Sequence, residues 1–76
     1  MNQRGDDELT VAPNMLRMRL SMAIRDLERV GMKWEVESAA DDERAVRGTD
    51  IVEGQSPSAG WPVPPGTRLR LRVRAW

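Results

Sequence analysis

The 76-residue sequence contains no cysteine, no histidine, no phenylalanine and no tyrosine, and Lys33 is its one lysine. Without Cys or His, the usual zinc, copper and haem ligand sets are missing, and no metal or other cofactor is expected. No disulfide staples the chain, and a domain without thiols works in either redox compartment. Carboxylate calcium sites need alternating acids around a central glycine. The cluster Asp41-Asp42-Glu43 has neither and reads as a solvated loop. No apolar run reaches the roughly 18 residues of a membrane span, so no membrane insertion by this chain is expected. Residues Met1 to Glu8 lack the apolar core of a signal peptide. The chain is expected in the cytoplasm if it is a full product, and outside the cytoplasmic membrane if it is a fragment of a membrane-anchored protein.

The same absences bear on catalysis. Nucleophilic chemistry without His or Cys needs a Ser–Lys pair or a carboxylate. Lys33 falls on the outer face of a predicted strand, and no serine has an evident base beside it. Carboxylate pairs can be drawn anywhere on an acidic surface and carry no specificity. The chain is therefore read as non-catalytic.

The formal net charge is zero, yet the charges are segregated. All 12 acidic residues precede Gly54, and four arginines follow it (Arg68, Arg70, Arg72 and Arg74), so the two parts carry −4 and +4. A neutral total argues against a general polyanion binder, and nucleic acid is not expected as a partner. The asymmetry still leaves one anion-seeking face.

Hydrophobic periodicity sets the predicted elements. Thr10 to Met18, with Ala12-Pro13-Asn14, reads as extended or turn structure. Leu20, Ala23, Ile24, Leu27 and Val30 recur at three- and four-residue steps, which predicts a helix over residues 20–30 with those five facing inward. Gly31 stands where a left-handed cap is wanted. Arg19 stands where a capping Ser or Thr is preferred, a deficit of about 1 kcal/mol. Met32-Lys33-Trp34-Glu35-Val36-Glu37 alternates as a half-buried strand with Met32, Trp34 and Val36 inward. A further strand is predicted from Ile51 to about Gln55. Residues 56–66 hold four prolines and two glycines and read as a rigid looping turn. From Thr67 to Arg74 the alternation is faultless, with Leu69, Leu71 and Val73 inward and the four arginines outward. The fold class is thus α+β: one α-helix packed on a small three-stranded β-sheet. With about 60% of its surface buried on folding, a chain this short has a small core.

Two stretches of this sequence resemble one known family. Ala12-Pro13-Asn14-Met15-Leu16, then Ala23-Ile24-Arg25-Asp26-Leu27-Glu28, Gly31-Met32-Lys33 and Glu35-Val36, look like the first half of a PASTA domain. Val52-Glu53-Gly54-Gln55-Ser56-Pro57-Ser58-Ala59-Gly60 and Val63-Pro64-Pro65-Gly66-Thr67 look like its second half. The resemblance covers about residues 10–74. It implies a module attached to penicillin-binding proteins or bacterial serine/threonine kinases, usually in tandem copies outside the cytoplasmic membrane. It further implies recognition of peptidoglycan fragments (muropeptides) or uncrosslinked cell wall, with weak β-lactam binding in some members. The implied domain organisation is a flexible tail over residues 1–9 and one PASTA-like domain over 10–76. Family members usually carry glycine where this chain has Arg17, often a Ser or Thr cap where it has Arg19, and commonly Thr or Ser at the outward positions of the last strand.

The candidate ligand-binding residues are Arg17, Gln55, Ser56, Trp61, Arg68, Arg70 and Arg72. Outward side chains two apart on a strand stand about 7 Å apart, so the arginines form a ladder able to hold carboxylates or phosphates. Two bland readings compete: the arginines keep an exposed strand soluble and block edge pairing, or they pair with Glu35 and Glu37 of a neighbouring strand. Trp61 in the turn is either a platform for a sugar or peptide face or a stiffener packed on Pro62 or Pro64. Trp34 is read as core. Met18 and Met22 mark either a contact patch or scattered surface methionine. Beside cell-wall recognition stand two other expectations. One is a structural or protein-interaction module docking an attached kinase, a transpeptidase or another protein. The other is a binder of anionic polymers through residues 68–74.

Overall fold

The computed structural model describes residues 10–39 and 45–75. The expected tail over 1–9, the cluster Asp41-Asp42-Glu43 and Trp76 lie outside the described residues. The elements in chain order are β1 (Thr10–Val11), α1 (Leu20–Arg29), β2 (Lys33–Ser38), β3 (Ile51–Ser56), β4 (Pro62–Val63) and β5 (Arg68–Arg74). β2, β5 and β3 form a three-stranded sheet with β5 in the middle, parallel to β2 and antiparallel to β3. β1 and β4 pair separately as a short antiparallel ribbon.

One face of the sheet carries the core. Leu69, Leu71 and Val73 of β5 are fully buried with Val52 of β3 and Leu27 of α1, and Ala12, Met15, Leu20, Ala23 and Val63 complete the cluster. Each fully buried Leu or Val stabilises by about 1.5–3 kcal/mol relative to exposure. Trp34, Val36, Met32, Ile24 and Met18 pack at its margin, half-buried. Trp34 therefore belongs to the core edge. Met18 turns inward while Met22 is exposed, so the two methionines do not share a surface patch.

Both ends of α1 show how this sequence closes a helix. At the C-terminus, the Met32 N–H donates to the Leu27 carbonyl (2.9 Å) and the Gly31 N–H to that of Glu28 (3.1 Å). These are the paired bonds of a Schellman motif, with Gly31 at φ +77° as the left-handed residue. The turn ends the helix at Arg29, so Val30 escapes the inward face predicted for it and is 68% exposed. At the N-terminus, Arg19 provides no side-chain cap. The Leu20 and Ser21 N–H groups donate instead to the carbonyls of Asp50 (2.7 Å) and Gly48 (3.0 Å). A distant loop thus supplies the acceptors that a capping side chain would give. Gly48 makes a close approach to the helix: a Cβ there would stand 3.3 Å from the Cβ of Ser21, a tight contact that only a small shift would relieve.

The turn after β3 is more ordered than its prolines and glycines suggested. Val63 and Pro62 pair with Thr10 and Val11. The Ala12 N–H bonds to the Trp61 carbonyl and the Gly60 N–H to that of Ala12. The predicted turn therefore contains a strand, β4, whose partner is the first described segment of the chain. Ser56–Pro57 is a cis peptide.

Candidate functional site

The outer face of the sheet is a charged surface built on β5. Parallel pairing sets Lys33, Glu35 and Glu37 of β2 beside Arg68, Arg70 and Arg72 in that order. On the other side, Ser56 faces Arg70, Gly54 faces Arg72 and Ile51 faces Arg74. A bulge between Val52 and Gly54 inserts Glu53 as an extra residue. It lets Val52 stay in the core while Glu53 reaches Arg74.

Acids on both flanks engage most of the arginine row. The Glu35 carboxylate lies 3.5 Å from Nε of Arg70 and 3.9 Å from Nε of Arg68, and that of Glu53 lies 3.8 Å from Nε of Arg74. Among the described residues, no carboxylate comes within ion-pair distance of Arg72, although Glu37 is its cross-strand neighbour. The reading of the arginines as guards of an open edge is overturned, because β5 is paired on both sides. Pairing with β2 is observed, through Glu35.

Between Arg70, Arg72, Glu37, Ser56, Gln55 and Gly54 lies a shallow hollow of about 320 Å³. Four of the seven candidate residues thus meet in one place: Gln55, Ser56, Arg70 and Arg72. Arg68 stands one step along the ladder beside Lys33. Arg17 and Trp61 do not line this hollow. The Arg17 N–H donates to the Val52 carbonyl, on the side of β3 away from β5, and Trp61, 63% exposed, sits in the turn before β4.

Gln55 has a second occupation. Its Oε1 accepts from the Met15 N–H (2.7 Å), and its Nε2 donates to the carbonyls of Pro13 (2.8 Å) and Pro57 (3.0 Å). The side chain is a clamp joining the segment before α1 to the end of β3. Two residues of the hollow were absent from the candidates, Glu37 and Gly54. Glu37 was legible only as an arginine partner. Gly54, which keeps the β3 side of the hollow low, carried no signal beyond its place in the Val52–Gly60 stretch.

A second depression has a volume of about 380 Å³. Val11, Pro13, Val30, Met32, Pro64 and Pro65 give it an apolar wall, and exposed Val11 and Val30 form its rim. It holds no acid–base pair. No group of three or more His, Cys, Asp or Glu among the described residues is placed to hold a metal ion. No helix among them is long and apolar enough to cross a membrane.

Comparison with known proteins gives one match. The family model of the PASTA domain matches residues 10–74. No curated protein and no solved structure matches the chain.

Proposed function

The chain belongs to the PASTA domain family, and from that premise we propose that it recognises peptidoglycan fragments, muropeptides or nascent cell wall, on behalf of a bacterial kinase or penicillin-binding protein to which it is attached or beside which it works. The family is one of non-catalytic binding domains associated with such enzymes. Its members are typically extracellular parts of membrane-anchored proteins, and the proposal places this chain there. The observation that carries the reading is the meeting of Ser56 on β3 with Arg70 and Arg72 on the central strand β5 in one open hollow. Guanidinium and hydroxyl groups there suit the carboxylates and amides of a short peptide stem. Exposed Trp61 offers a separate flat surface for a sugar ring. Titration of the chain with muropeptides, followed by amide chemical shifts, tests the reading. Saturable shifts at residues 54–56 and 70–72 are expected. No shift at millimolar ligand sinks it.

A second reading, a protein-docking or spacer module, draws on the apolar depression around Val11, Val30, Pro64 and Pro65. It predicts that Val30→Asp weakens capture of the attached enzyme domain while leaving the muropeptide shifts intact.

A further inference from the structure

The arginine row looks in sequence like a continuous track for anions, and the flanking acids break it. Glu35 sits between Arg68 and Arg70, and Glu53 beside Arg74. Arg72 alone of the four has no carboxylate at ion-pair distance among the described residues. It borders the hollow, with Gly54 opposite on β3 and the Ser56 hydroxyl one pair further along. Its cross-strand neighbour on β2 is Glu37, which also lines the hollow.

We propose that Arg72 is a site for one isolated carboxylate, with Glu37 as a built-in competitor that sets its strength, and that the interspersed acids make the sheet face a poorer site for polyanions than an unbroken arginine row. The inference rests on the reading of the chain as a binding module and names the chemistry of its contact. A planar guanidinium presents parallel N–H donors that match a carboxylate. Gly54 has no side chain, so the Arg72 stem lies along β3 there: a Cβ on Gly54 would stand 3.6 Å from Arg72 Cβ and 4.0 Å from its Cδ. A chain of closely spaced phosphates docked on Arg72 brings its other charges to Arg70 and Arg74, whose charges Glu35 and Glu53 offset, and beside Glu37. Like charges set against one another exclude the wrong partner without strengthening the right one. One carboxylate on a small or otherwise neutral ligand escapes this penalty.

The test follows the Arg72 Nε–Hε and Gly54 amide resonances of the 76-residue chain. The probes are N-acetylglycine (one carboxylate), N-acetylglycinamide (no charge) and tripolyphosphate (a polyanion). N-acetylglycine is expected to shift both resonances saturably, the amide not at all, and tripolyphosphate more weakly. Arg72→Gln removes the response. Glu37→Gln, which keeps the side-chain shape, tightens N-acetylglycine binding by about 3- to 10-fold, as expected for losing one solvent-screened neighbouring charge. An unmoved Arg72, an unchanged affinity in Glu37→Gln, or tripolyphosphate binding most tightly with all four arginines shifting together overturns the inference. If muropeptides bind while N-acetylglycine leaves Arg72 untouched, the inference fails and the function proposed above stands. If N-acetylglycine binds at Arg72 and muropeptides bind nowhere, the inference stands and that function falls.

Discussion

Arg17 adopts φ +71°, the left-handed region that costs a residue with a Cβ about 1–2 kcal/mol. It is the third residue of a turn closed by the Met18 N–H on the Met15 carbonyl (3.2 Å), where the backbone asks for glycine. The strain is held by two bonds to β3: the Arg17 N–H on the Val52 carbonyl and the Val52 N–H on the Met18 carbonyl. Arg17→Gly is therefore expected to raise stability by about 1 kcal/mol, the strain relief less the added freedom of the unfolded chain. Urea unfolding reads this directly as a higher midpoint at unchanged slope. A lower midpoint shows that the arginine side chain contributes more than its backbone costs.

Gln55 works between elements. Its amide joins Pro13 and Met15, ahead of the helix, to the end of β3 through two hydrogen bonds and makes a third to the Pro57 carbonyl. Gln55→Leu keeps the volume and leaves the Met15 N–H and the Pro13 carbonyl without those partners. The expected loss is about 2–3 kcal/mol, since orphaned polar groups cost more than a hydrogen bond contributes net. Chemical denaturation measures it, and a loss below about 0.5 kcal/mol, smaller than one typical net hydrogen bond, refutes the clamp. The helix depends on a partner in the same way. Its first N–H groups are met by the loop carbonyls of Gly48 and Asp50, so the deficit read from Arg19 is offset by tertiary structure.

Across the whole molecule, strand order decides what the charges do. With β5 between β2 and β3, Arg70 and Arg72 have neighbours on both sides, Arg68 on the β2 side and Arg74 on the β3 side, and five cations on these strands stand among three carboxylates. The ion pairs are half-exposed, with Glu35 at 48% and Arg70 at 58%, so each contributes only about 0–1 kcal/mol. Glu35→Gln is expected to change stability by less than about 1 kcal/mol, a difference that fades in high salt. Its larger effect falls on recognition. Releasing Arg68 and Arg70 strengthens tripolyphosphate binding and steepens its salt dependence. Shift titrations at two salt concentrations compare the variant with the parent chain.

The sequence by itself determined the helix and the three strands of the main sheet. Alternation placed Leu69, Leu71 and Val73 inward and the arginines outward, and three- and four-residue spacing placed α1 to within one residue of its end. Both signals are local: a strand repeats every two residues and a helix every 3.6, whatever lies beyond them. The PASTA domain family was legible too, because its two stretches lie in order along the chain. Only the tertiary structure decided which residues became neighbours. That β5 is central, that Glu35 and Glu53 engage three of the four arginines, that β4 pairs with Thr10–Val11 and that Val30 is left outside all depend on contacts between segments far apart in sequence. Residue spacing cannot report such contacts, because strand order and register are set by how the buried faces fit together.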